Sequence, residues 1–120
     1  MKKHFLGFFV AVLALAAGGI SYSWGAYYSG KIEARLDLLR GEYNIRTYGA
    51  SGARRDKYQE ILLREYRVKL VAVAGCIVTN ELVEEAGGYN EVSEAAIEGR
   101  YGQGTLERAW HRAQQEHDRE

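Results

Sequence analysis

After Met1-Lys2-Lys3-His4 the chain carries no Asp, Glu, Lys or Arg until Lys31. A basic start followed by an apolar run has the charge order of a secretory leader. Phe5 to Ala17 has the length of a signal-peptide core. Phe5 to Tyr28, twenty-four residues, is long enough to cross a hydrocarbon layer of about 30 Å as a helix. Cleavage is favoured by Gly18-Gly19 and by the small-residue pairs Ala16/Gly18, Ala17/Gly19 and Ser21/Ser23 at peptidase spacing. Retention is favoured by Tyr22, Trp24, Tyr27 and Tyr28, placed as an interfacial aromatic belt would be. Ala17, Ser21, Gly25 and Ser29 recur every four residues, a small-residue stripe that lets membrane helices approach closely. Lys2 and Lys3 favour a cytoplasmic N-terminus.

The expectation is therefore a signal peptide or signal-anchor transmembrane helix over residues 1–28. A small helical extracytoplasmic domain over residues 29–120 follows it. The predicted location is the bacterial inner membrane facing the periplasm, or the periplasm itself if the leader is cleaved.

About ninety residues beyond the leader make one small domain and leave no room for a large catalytic cleft. Proline is absent, which favours helices with short connections. Cys76 is the only cysteine, so no intramolecular disulfide can form. The formal net charge of zero conceals an asymmetry. Residues 31–70 hold ten Lys/Arg against six Asp/Glu, whereas residues 71–120 hold four against ten. Complementary halves of one fold explain this without a partner, and cations interleaved with acids on an exported segment argue against nucleic acid.

The predicted architecture is all-α, a small bundle of about four helices behind the leader. Lys31–Arg40 reads as a short amphipathic helix with Ile32, Leu36 and Leu39 on one face and Glu33 with Asp37 opposite. Gly41 stops it, and Glu42–Gly52 reads as a loop. A longer helix is predicted from Ala53, with Tyr58, Ile61, Leu62, Tyr66 and Leu70 at buried-stripe spacing. Periodicity cannot separate helix from strand in the apolar run Val68–Val78. Its helical flanks select helix, continuing to Ala86 and ended by Gly87-Gly88. Asn90 or Ser93 is expected to cap the next helix, with Val92, Ala96 and Ile97 inward. Gly99–Gly104 reads as a turn with glycines at positive φ, and Thr105 as the cap of a last helix carrying Leu106, Ala109, Trp110 and Ala113. Residues from Gln114 onward are expected to fray.

Chemical signatures are sparse. Val73-Ala74-Gly75-Cys76 matches the lipobox at which bacterial lipoproteins are acylated, but it lies far from the leader. Cys76 is expected to be a buried free thiol behaving as a small hydrophobe. His111 and His117 are six residues apart, a spacing that points them to different sides of a helix. Glu107 and His111 fall at i, i+4, as a solvated pair would. No metal site, cofactor or catalytic group is predicted.

Nine tyrosines are many for this length, and Tyr43, Tyr48, Tyr89 and Tyr101 fall in or beside predicted loops. Together with Trp110 on the last helix and with Ala17, Ser21, Gly25 and Ser29 in the leader, they are the candidate contact residues. The function expected is that of a non-enzymatic envelope protein, an accessory or interaction subunit of a membrane protein assembly. Its partner would be another membrane or periplasmic protein, or a second copy of itself. The alternatives are a cleaved, soluble periplasmic binding or inhibitor module, and a small metal-dependent hydrolase using His111.

Overall fold

The structure, a computed structural model, describes residues 24–120. The leader expectation for residues 1–23, including Ala17 and Ser21, lies outside the described residues. A helix over 24–39 (α1) leads to a strand, Asn44–Tyr48 (β1). Helix α2, Ala53–Ile61, widens into a π turn over Leu62–Tyr66 and is followed by strand β2, Lys69–Ala74. Two further helices complete the chain, α3 at Asn80–Tyr101 and α4 at Thr105–Asp118. The fold is mostly helical, with four helices among the described residues, but it is not all-α.

The sheet is the main departure from the sequence reading. β1 and β2 pair in parallel, Ile45 beside Leu70 and Arg46 beside Val71, with the register slipping between Thr47 and Tyr48. Parallel strands need a crossover of a dozen residues or more, and α2 with its π turn supplies it. The expected helix therefore does not run through residues 68–78. It ends at Arg67, which takes the left-handed conformation at φ 55° while its N–H and that of Val68 both bond to the Leu62 carbonyl. Beyond that stop Val71 and Val73 favour extended backbone, and β1 offers a ladder to residues 69–72 and 74, with Val73 bulged out of it. Likewise the predicted 42–52 loop contains β1, whose Ile45, Thr47 and Tyr48 are good strand formers.

The core lies where the crossover meets the last two helices. Ile45, Ile61, Leu62, Val68, Ile97, Leu106, Ala109 and Ala113 are buried together. Burying an Ile or Leu side chain contributes about 1.5–3 kcal/mol. Tyr58, Tyr66 and Leu70 pack against this core, as the stripe spacing predicts, although Leu70 arrives on a strand rather than a helix. α4 lies along α2, with the Trp110 ring edge-on to Tyr58 at 5.3 Å, and it persists to Asp118 rather than fraying at Gln114. The turn before it has the expected glycines, Gly102 at φ 107° and Gly104 at φ 80°, and Gly104 rather than Thr105 is the cap residue.

Gly87-Gly88 does not end a helix; both glycines are interior to α3. Gly88 is there because α1 crosses α3 with their backbones in contact. A Cβ on Gly88 would run into the Tyr27 carbonyl, and a Cβ on Gly30 into that of Glu85 and to 2.9 Å from the Tyr89 nitrogen. The two glycines are thus reciprocal, each clearing space for the other helix's backbone. Ala34, one turn beyond Gly30, is also buried. Residues 24–28, assigned from sequence to the leader, belong to the same helix, and Tyr27 packs on α3.

These neighbouring glycines should respond oppositely to one methyl group. Gly87 faces open space, so Gly87→Ala should raise stability by up to about 1 kcal/mol through helix propensity. Gly88→Ala should lower it by about 1–3 kcal/mol through overpacking. Urea unfolding of the two variants measures both.

Candidate interaction site

Arg46 lies where β1, α1 and α3 meet. Its backbone points away from β2 toward α3, where the Asn90 amide completes it as a neighbouring strand would. The Arg46 N–H donates to Asn90 Oδ1 at 2.7 Å, and Asn90 Nδ2 donates to the Arg46 carbonyl at 2.8 Å. One turn on, the Ser93 hydroxyl donates to the Asn44 carbonyl. Asn90 and Ser93, expected to be helix caps, instead lie inside α3 and close the outer edge of β1.

The Arg46 side chain ties the helices together. Its guanidinium donates to Glu33 on α1 and to Glu85 on α3, the latter at 3.1 Å. It also stacks over the Tyr89 ring at 4.1 Å. The Tyr89 hydroxyl in turn donates to Asp37 at 2.6 Å. Lys31 and the Tyr27 hydroxyl both reach Glu91, and the Tyr27 hydrogen bond is the largest influence holding the Glu91 carboxyl below its ordinary range. The expected pairing of the basic half with the acidic half is seen in Lys31–Glu91, Arg46–Glu85, Arg54–Asp118 and Lys57–Glu120.

These contacts decide which way α1 faces. Gly30, Ala34, Glu33 and Asp37 turn toward the domain, so the apolar stripe is left outside. Trp24 is 59% exposed, Tyr28 49%, Ile32 57%, Leu36 48% and Leu39 84%. An amphipathic helix ordinarily buries such a face; here five large apolar side chains lie exposed along it, and an exposed apolar patch marks an interaction surface. Gly25 and Ser29, from the predicted small-residue stripe, are exposed on the same face. The sequence showed the stripe but not its direction, because the groups that hold the opposite face, Arg46 with Glu85 and Tyr89, come from β1 and α3.

The other candidate contact residues divide by burial. Tyr48 is exposed at the end of β1, whereas Tyr89 is 1% exposed and internal to the fold. Tyr43 packs on the core under the Arg100 guanidinium. Tyr101 donates its hydroxyl to the Tyr66 carbonyl at 2.8 Å, and Trp110 is engaged with Tyr58.

A cleft of about 540 Å³ opens at the C-terminal ends of the strands, lined by Thr47, Ser51, Arg55, Asp56, Ala74 and Cys76 among others. Ligands often bind at such a place in α/β proteins. Here Arg55 spends its guanidinium on the carbonyls of Tyr48 and Gly49. Cys76 is exposed, contrary to expectation, because it falls in the bend after β2 rather than within a helical core. His111 and Glu107 form an exposed pair at 3.7 Å. No group of three or more His, Cys, Asp or Glu among the described residues is placed to hold a metal ion. No helix among the described residues is long and apolar enough to cross a membrane. Compared with family models, curated proteins and solved structures, the chain shows no match.

Two tyrosines report on this packing. Burial, aided by the hydrogen bond to Asp37, pushes the Tyr89 hydroxyl up to about 12. Burial with the nearby charges of Glu94 and Glu98 does the same to Tyr58. Because the native state holds these protons longer than the unfolded chain, the two tyrosines' contribution to stability should be constant below pH ~10 and be lost between pH ~10 and ~12. Tyrosinate absorbance should show late ionisation by Tyr58 and Tyr89. Tyr89→Phe should remove one such contribution and Tyr58→Phe the other.

Proposed function

We propose that the protein is a non-enzymatic envelope component, held at the membrane by its N-terminal segment with its helical body on the periplasmic side. It acts as an interaction subunit of a membrane protein assembly. The observation that carries this reading is the outward stripe of Trp24, Tyr28, Ile32, Leu36 and Leu39. The stripe overlaps the end of the uncharged run at Trp24 and Tyr28 and continues past Lys31 to Leu39, so a partner helix leaving the same membrane would meet it directly. The charge order of the leader and its aromatic cluster support the anchoring and its direction. The scarcity of catalytic chemistry in the sequence supports a role by contact.

Two measurements on protein from its native host test this. The membrane fraction should yield a chain that still carries residues 1–28, read from its N-terminal peptides by mass spectrometry. A shorter, freely soluble chain would sink the anchored form of the proposal. The double variant Ile32→Glu/Leu36→Glu should keep its thermal stability, because exposed positions change it by no more than about 0.5 kcal/mol. It should also lose the chemical crosslinks that the native chain makes to a membrane protein. Crosslinks unchanged by the double variant would place the contact elsewhere.

A further inference from the structure

The outward face of α1 is apolar with one charge set into it. Gly25, Tyr28, Ile32, Arg35 and Leu39 follow one another at alternating intervals of three and four residues, the spacing of a seam along which a neighbouring helix packs. All five are exposed, with Trp24, Ser29 and Leu36 exposed beside them. Arg35 stands within this seam with no acid to answer it. Its neighbours one turn away on the helix are Lys31, Ile32, Leu38 and Leu39. The acids of α1, Glu33 and Asp37, are each two residues away and so about 200° around the helix. There Arg46 holds Glu33 and the Tyr89 hydroxyl holds Asp37. Among the described residues no ion pair, hydrogen bond or ring contact reaches the Arg35 guanidinium.

We propose that the occupant of this face is the membrane-proximal helix of a different protein, apolar along its contact stripe and carrying a carboxylate that pairs with Arg35. This rests on the chain being anchored as proposed, and it adds the chemistry of the partner. Reach selects a protein over the lipid surface. At 1.5 Å per residue, Leu36 and Leu39 lie about 12 and 16 Å beyond Tyr28 along the helix. A headgroup layer about 5–8 Å deep would meet Trp24 and Tyr28 and leave the far end of the stripe bare. Charge selects a different protein over a second copy. Two copies leaving one membrane run parallel, and a parallel pair sets like positions of the seam together, Arg35 against Arg35. A guanidinium enclosed between apolar helices is costly unless a counter-charge meets it, and Arg takes a carboxylate through two parallel hydrogen bonds.

Photocrosslinking of the full chain in its native membranes tests this, with benzoylphenylalanine placed at position 32 or 39. Both positions should link to one membrane protein, through a helix adjoining its membrane span that contains an Asp or Glu. Arg35→Glu should lower the yield at least about tenfold, while Arg35→Lys should keep most of it. Exchanging the partner's carboxylate for Arg should restore the yield in Arg35→Glu. Thermal melting of Arg35→Glu should match the parent, as an exposed position requires, and Arg35→Gln serves the same comparison should Arg35→Glu misfold. A linked segment without a carboxylate, or a yield indifferent to Arg35→Glu, overturns the pairing and leaves the interaction-subunit role standing. Links only to lipid or to a second copy overturn the inference as well. An absence of links at both positions overturns the pairing and that role together.

Discussion

The Asn90 amide paired with the backbone of Arg46 is the contact on which the rest of the arrangement depends. A strand with one neighbour has a row of unpaired groups on its other side, and burying such groups costs about 1–3 kcal/mol each. Asn90 meets that demand from within a helix, which fixes α3 against β1. With α3 in place, Arg46 has Glu85 on one side and the Tyr89 ring beneath it, and Glu33 brings in α1. Reciprocal clearance at Gly30 and Gly88 then sets how closely α1 and α3 approach. Polar anchoring, not apolar burial, therefore orients α1, and its hydrophobic face stays outside.

What the sequence revealed and what it concealed follow from the range of the interactions involved. The glycine turn before α4, the Leu106–Ala109–Ala113 stripe and the Ile61–Leu62 centre of the core are local patterns, and each is found where periodicity places it. β1 and β2 are short and are joined through some twenty residues of crossover, so neither has a local partner to announce it. Val71 and Val73 argued for a strand, but the helical flanks outweighed them until Arg67 is seen to stop α2. Asn90 and Ser93 resemble caps because the same small polar groups that cap helices can also close a strand edge. Gly88 resembles a helix stop because its other use, clearance for a second backbone, depends on Tyr27 more than sixty residues earlier.

The candidate contact residues show the same division. Tyrosine count alone could not say that Tyr89 is internal while Tyr48 is exposed. The apolar stripe of α1 was legible as a stripe, and only its direction was missing. That direction moves the functional emphasis from tyrosine-bearing loops to one helix face. The cleft beside Cys76 lies at the C-terminal ends of the strands, and the Arg55 guanidinium on its wall is engaged by backbone carbonyls.

The proposed function requires that a partner in the native envelope cover the apolar face that polar anchoring leaves outward on α1. Maleimide labelling of Ile32→Cys and Leu36→Cys, each in a Cys76→Ser background, tests this most directly. Both thiols should resist labelling in native membranes and react readily in the purified protein. Equal, rapid labelling in both settings would mean that nothing covers the face, and would contradict the account.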